Sequence, residues 1–341
     1  MEESELLLEV KGLKTHFFLD EGTVKAVEGV DFVLPRGGTL GIVGESGCGK
    51  TVTAYSITQL IEKPGRIVAG QILFHRQLNG AEAGSAVTEV VDLAKLRPAS
   101  RQMCEIRGSE IAMVFQEPMT AFSPVHTIGD QIMEVILWHR KVGKKEAREQ
   151  TVEMLRRVGI PKSETRLDTY PFQLSGGMRQ RAMIAMALVC RPSLLIADEP
   201  TTALDVTMQA QILELMQQLQ GDMGMAVMLI THNLGVVAEI CEQVAVMYLG
   251  QVVERSSVDA LFHDPLHPYT QALLRSIPKL GRSRDKRLDP IQGAVPDPYN
   301  RPSGCPFHPR CDKMIAGCCD TEQPLLSNKP DGRAVCCWLY K

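Results

Sequence analysis

Tryptophan is nearly missing from this chain, with two in 341 residues, and all aromatics together reach only 5%. A surface built to stack bases or sugars needs more than that. No charge of one sign dominates either: 37 Lys and Arg stand against 40 Asp and Glu, a net charge of -3. That balance gives no general attraction to nucleic acid or anionic lipid. Long apolar runs are lacking too. The longest, Ala182 to Cys190, falls far short of the roughly 18 residues that span a bilayer. The start, MEESELLLEV, is acidic and lacks the basic and apolar regions of a secretory signal. A cytosolic chain is expected. With 44% apolar and 23% charged residues, a mostly disordered chain is excluded, and the length suggests roughly two compact units.

Cysteine is present, but unevenly. Of ten, Cys305, Cys311, Cys318, Cys319, Cys336 and Cys337 lie in the last 37 residues, whereas Cys48, Cys104, Cys190 and Cys241 are scattered. A cytosolic protein rarely keeps structural disulfides, so a dense terminal cluster reads first as a metal site.

The residues before position 45 read as strands: Leu6 to Val10, Val24 to Val33 and Thr39 to Val43. A helix over Val52 to Ile61 follows, ended by Pro64-Gly65, and then strands at Ile72 to Phe74 and Ile111 to Phe115. Between those two strands, residues 79–86 form a loop or insertion of small polar residues. Thr127 to Gly159 has a helical pattern. Beyond it, helices over 178–190, 207–219 and 234–241 alternate with short apolar strands at Leu194 to Ala197, Ala226 to Thr231 and Val244 to Tyr248. This alternation predicts an α/β fold with a parallel sheet covered on both faces. After Val253 proline becomes frequent, and the basic run 279–287 reads as a solvated linker.

Gly44-x4-Gly49-Lys50-Thr51 has the spacing of a phosphate-binding loop between a strand and a helix. Its glycines allow backbone N–H groups to surround an anion, and the helix N-terminus adds partial positive charge. Lys50 is expected on the β/γ-phosphates and the Thr51 hydroxyl on Mg²⁺. Such a loop needs an acid on a second strand, and Leu194-Leu195-Ile196-Ala197-Asp198 supplies one at its end. Glu199, next in line, is placed to orient and deprotonate an attacking water. Cys48 is inert by this reading. Leu174-Ser175-Gly176-Gly177-Met178-Arg179-Gln180-Arg181 opens a second helix with an anion-binding N-terminus. Two such starts with one phosphate loop suggest that the second serves a nucleotide held by another subunit.

Together with TALD and Thr231-His232, in this order, these motifs resemble an ATP-binding cassette (ABC) ATPase over nearly the whole length. QEPMTAFSP, THNLGVVAE, HPYTQALLRSIP and CPFHPRC resemble the oligopeptide/dipeptide/nickel importer branch. The resemblance implies a P-loop NTPase cassette with an antiparallel β subdomain, a helical subdomain and a Cys-rich C-terminal extension. The cassette would span 1–265, with the helical part at about 120–176, and the extension 266–341. It implies ATP contacts from Phe17 (Phe18 as second choice), Gly44, Ser46, Gly47, Cys48, Gly49, Lys50, Thr51, Val52, Gln116 and Asp198. Lys50, Glu199 and His232 would be catalytic, and Thr51, Gln116 and Asp198 would hold Mg²⁺. Ser175, Gly176, Gly177, Met178 and Asp205 would face a second cassette. Met178 replaces a usual Gln, and Asn233 a usual Asp.

The implied partners are a related, non-identical ATPase, two membrane permease subunits and, through them, an extracytoplasmic substrate-binding protein. The surface from Gln116 to Trp138 would receive a permease helix at the cytoplasmic face of the inner membrane. Peptides are the implied cargo. Nickel or another solute is the alternative, and a soluble zinc-binding ATPase acting on nucleic acid is a third reading. In the tail, Cys305-x5-Cys311-x6-Cys318-x18-Cys337 lacks the short pairs of zinc ribbons and suits a [4Fe–4S] cluster, as the resemblance also implies. Zinc, or no metal, remains open, as does the choice within Cys318/Cys319 and Cys336/Cys337. His308 is read as a packing or outer residue. A structural staple is the expected role.

Overall fold

A computed structural model describes residues 6–79, 86–202, 204–277 and 291–341. The bulk of the small-residue insertion, 80–85, and the basic run 279–287 lie outside the described residues.

Two long strands, β1 (Leu6–Leu19) and β2 (Gly22–Pro35), form an antiparallel hairpin; β4 (Gly65–Asn79) and β5 (Ala86–Asp92) complete a sheet of order β2-β1-β4-β5. Leu8, Val10, Leu13 and Thr15 of β1 are buried, the alternation shifted by one residue at the irregularity between Val10 and Leu13. The Thr15 hydroxyl meets that of Ser56, 2.8 Å away, on α1 (Lys50–Thr58). The hairpin is thereby seated on the phosphate-loop helix. That helix is shorter than expected, because Gln59 takes a left-handed φ of 55° and stops it before Pro64.

The larger sheet has order β11-β12-β10-β9-β3-β8-β7-β6. Its parallel part comprises β3 (Thr39–Val43), β6 (Ile111–Val114), β7 (Leu194–Asp198), β8 (Ala226–Thr231) and β9 (Gln243–Tyr248). Every residue of β3, β7 and β8 is buried, as strands covered on both faces require. The covering helices include α2 (Arg101–Ser109), α7 (Gly176–Leu188), α8 (Val206–Met223) and α9 (Leu234–Ile240). The expected alternation is present, with ends shifted by at most four residues and the strand Ala226–Thr231 matching at both ends.

Between β6 and α7 the chain forms a helical lobe of α3 (Pro118–Ala121), α4 (Ile128–His139), α5 (Lys144–Arg157) and α6 (Ser163–Arg166). The single helical pattern read over 127–159 is two helices, divided at Arg140–Gly143. Thr127 caps α4 by accepting the Asp130 N–H at 3.1 Å. Ile128, Ile132 and Ile136, spaced by four, bury one stripe in a core shared with Ala147, Met154 and Leu155 of α5. Each such isoleucine contributes about 1.5–3 kcal/mol over its exposed state.

At the other rim, β10 (Gln251–Ser257) returns antiparallel to β9, followed by α10 (Val258–His263) and α11 (Pro268–Arg275). The two-residue strands β11 (Ser327–Asn328) and β12 (Ala334–Val335) extend the same sheet from the tail.

Candidate active site

Neighbouring parallel strands deliver the site from one edge, the edge where ligands of open α/β sheets bind. The phosphate loop leaves the end of β3, Asp198 ends β7, His232 follows β8 and Gln116 follows β6. These loops surround a cavity of about 510 Å³, lined by Ala26, Ser46, Gly47, Cys48, Gly49, Lys50, Thr51, Val52, Gln116, Glu199 and His232. That is a ligand-sized volume.

The loop's curl depends on glycine at two places. Gly49 has φ +97°, and a Cβ there would sit 2.2 Å from the Ala26 carbonyl oxygen; Gly44 would meet the Met247 carbonyl oxygen at the same distance. No side chain caps the N-terminus of α1, so its first N–H groups are available to an anion. Lys50 is buried, 6% exposed as a residue, and its ammonium donates to the carbonyl oxygens of Gly44 (2.9 Å) and Glu45 (3.0 Å). Cys48 is buried, and burial pushes its thiol pKa up, which leaves it a poor nucleophile.

Asp198 is 2% exposed, and its Oδ1 has no hydrogen-bond partner among the described residues. Burial raises its pKa, an effect that the Thr51 hydroxyl partly offsets. An orphaned carboxylate oxygen beside a hydroxyl, at the foot of a phosphate loop, suits a hard divalent cation. The donors therefore fit Mg²⁺. Glu199 adopts a left-handed φ of 45°. One carboxylate oxygen accepts from Gln116 Nε2 (3.2 Å) and Thr202 Oγ1 (2.9 Å), and the other faces His232 Nδ1 at 3.1 Å. Burial alone would raise its pKa, yet the contacts from His232 and Thr202 hold it below the ordinary value. Glu199 is thus held in its ionised form.

Two expected residues stand elsewhere. Phe17 does not line the cavity: a Cβ on Gly65 would lie 2.6 Å from its ring, so the ring occupies the β4 side of β1. Phe18 is covered by the Arg66 guanidinium, 4.4 Å from the ring centre. The signature residues also stand apart from this cavity. Ser175 is exposed and caps α7, its hydroxyl accepting the Met178 N–H at 3.4 Å. Asp205 does the same for α8 through Met208 (2.9 Å), and Asn233 for α9 through Gly235 (2.9 Å). Thr202 and Ala26 were not anticipated. Thr202 acts through a side chain three residues from Glu199, and Ala26 lines the cavity from β2.

The tail requires a correction. Cys305, Cys311, Cys337 and Cys319 line one closed recess of about 10 Å³ together with His267, Phe307, His308 and Trp338. Cys318, named from the spacing, does not line it. Cys319 is buried and Cys318 half-buried, and the Cys319 carbonyl accepts the Cys305 N–H at 2.8 Å. No disulfide links the ten cysteines. Among the described residues no group of three or more His, Cys, Asp or Glu side chains is arranged to hold a metal ion.

A phosphate loop, an orphaned strand-end acid and an ionised glutamate on one sheet edge define a P-loop enzyme that hydrolyses a nucleoside triphosphate. Two sequence families match: "ABC transporter" over residues 27–202 and "Oligopeptide/dipeptide transporter, C-terminal region" over 253–318. The chain belongs to the ABC transporter family of ATPases, in its oligopeptide/dipeptide branch. It is 50% identical to the oligopeptide transport ATP-binding protein AppD of Bacillus subtilis, covering 98% of this chain and 97% of that one. It is 46% identical to the dipeptide transport ATP-binding protein DppD of Escherichia coli, over 97% and 96%. A dimeric ATP-binding cassette, MJ0796 bound to ADP and Pi, shares the fold with TM-score 0.62 and 23% identity, over 74% of this chain and 99% of that one.

Proposed function

We propose that this chain is the ATP-hydrolysing subunit of an importer that takes up short peptides through partner permease subunits. The observation that carries this reading is the full-length likeness to peptide-transport ATP-binding proteins. Nickel and nucleic-acid readings have no comparable support.

In this proposal the backbone N–H groups of 46–51 cradle the phosphates, and Lys50 leaves the carbonyls of Gly44 and Glu45 to pair with them. Thr51, Asp198 and Gln116 would hold Mg²⁺, which would supply positive charge against the phosphates. Glu199 accepts the proton of the attacking water, while His232 and Thr202 orient it. Ser175, exposed at the start of α7, completes the site of a second, related ATPase subunit. Phe17 reaches adenine only after a rotation of its ring.

Among the described residues no helix is long and apolar enough to cross a membrane. Attachment at the cytoplasmic face of the inner membrane therefore runs through the permeases, which collect cargo from an extracytoplasmic binding protein. A cleft of about 720 Å³ supports α4 as the contact: Met133, Leu137 and Trp138 form an apolar floor, with Asp130 and Glu134 against Lys144, Lys145 and Arg148. Trp138 is 75% exposed. The test is uptake of labelled di- and tripeptides into vesicles carrying the complete transporter. ATP-dependent uptake that disappears with Lys50→Ala is expected; ATP turnover unaffected by any peptide would overturn the reading.

For the tail, the thiols of Cys305, Cys311, Cys319 and Cys337 would serve as ligands of a [4Fe–4S] cluster, with a structural role. What supports this is the recess that all four thiols line. Four thiolates are the ordinary ligand set of such a cluster, but the four thiols do not surround a common metal position as they stand, so binding would require them to close together. Anaerobic purification should give iron and sulfide that Cys319→Ser loses and Cys318→Ser keeps. Zinc in their place, or equal loss from both variants, would refute the assignment.

A further inference from the structure

The tail reaches the phosphate loop directly. Arg310, on the short turn His308–Arg310 between Cys305 and Cys311, has a side chain only 3% exposed. Its two terminal nitrogens donate to both carboxylate oxygens of Glu45, at 2.7 and 3.1 Å. Its Nε donates to the Gln292 carbonyl at 3.1 Å, and Nη1 to Tyr248 Oη at 3.4 Å. From α11, Tyr269 Oη accepts the Glu45 backbone N–H at 2.9 Å. Tyr248, Tyr269 and Phe307 pack together with ring centres 4.7 to 5.3 Å apart, and this cluster fixes the guanidinium.

Glu45 follows the first glycine of the phosphate loop. Its carboxylate points to Arg310 and is absent from the cavity lining, while its carbonyl oxygen holds the Lys50 ammonium at 3.0 Å. Released, that carboxylate would add a negative charge beside a bound triphosphate. A bidentate guanidinium both neutralises it and fixes its direction.

We propose that Arg310 is a positioning residue for ATP: it draws the Glu45 carboxylate out of the phosphate cavity, which makes the C-terminal extension part of the nucleotide site. This rests on the ATP reading above.

The test uses the full-length chain, with equilibrium binding of Mg-ATP and steady-state phosphate release. Arg310→Ala should raise the Kd about tenfold, the scale of one unit charge near a polyphosphate in a partly solvated site. The rise in KM should exceed any fall in kcat. Adding Glu45→Gln to Arg310→Ala removes the stray charge and should restore the Kd to within about threefold of the parent. If Arg310→Ala does not fold, as judged by near-UV circular dichroism, Arg310→Gln keeps the length without the charge and should behave alike. Parent-like binding by the charge-removing variant, or a double variant that stays as weak as the single one, would overturn the proposal. A parent chain that binds no Mg-ATP would instead remove the ATP reading beneath it.

Discussion

Glu199→Gln should lower ATP turnover by about 10² or more while Mg-ATP binding stays within a few-fold of the parent, because only the proton acceptor is lost. The carboxylate is held ionised by His232 at 3.1 Å and Thr202 at 2.9 Å against the opposing effect of burial. Glutamine keeps the side-chain size and can still accept from Gln116 or Thr202. The left-handed backbone at this position strains Glu and Gln alike, so the substitution leaves that cost of about 1–3 kcal/mol unchanged. Phosphate release measured beside equilibrium binding checks this. Loss of both together would mean that Glu199 holds the site's shape and does no proton transfer.

The second large effect concerns stability. Glu254, fully buried on β10, accepts the backbone N–H groups of Leu266 and His267, each at 2.8 Å. Those donors sit at the bend into α11, where the tail begins. Glu254→Ala would leave two N–H groups in the interior without partners, at about 1–3 kcal/mol each. Burial of the carboxylate, which raises its pKa, offsets part of that. A net loss of about 3 kcal/mol is expected, read as a lower thermal midpoint and faster proteolysis beyond residue 254. Glu254→Gln, which keeps one acceptor oxygen, should lose less. An unchanged midpoint for the alanine variant would show that the bend is held by packing alone.

The phosphate loop, the Asp198-Glu199 strand end and the alternation of strands and helices were legible because local backbone needs dictate them. A tight curl demands glycine, and a doubly covered strand demands an apolar run. The helical lobe was legible from the helical pattern over 127–159, although its break at 140–143 carries no proline to announce it. Contacts between distant segments were not legible. Glu45 and Arg310 are 265 residues apart, and nothing in either neighbourhood names the other. Cys318 and Cys319 differ by one position, so only the direction of the turn decides between them. Phe17 shows a different limit: strand pattern fixes its face on β1 but not the rotation of its ring. The two-residue strands β11 and β12 are too short for any periodicity to register.

Those two small strands have an effect out of proportion to their size. Antiparallel pairing of Glu254 and Arg255 with Val335 and Ala334 covers part of the hydrogen-bonding rim of β10. An uncovered rim of that kind recruits strands from other copies and seeds aggregation. Residues 327–335 thus hem this side of the sheet, an effect independent of any chemistry at the nucleotide or the thiols.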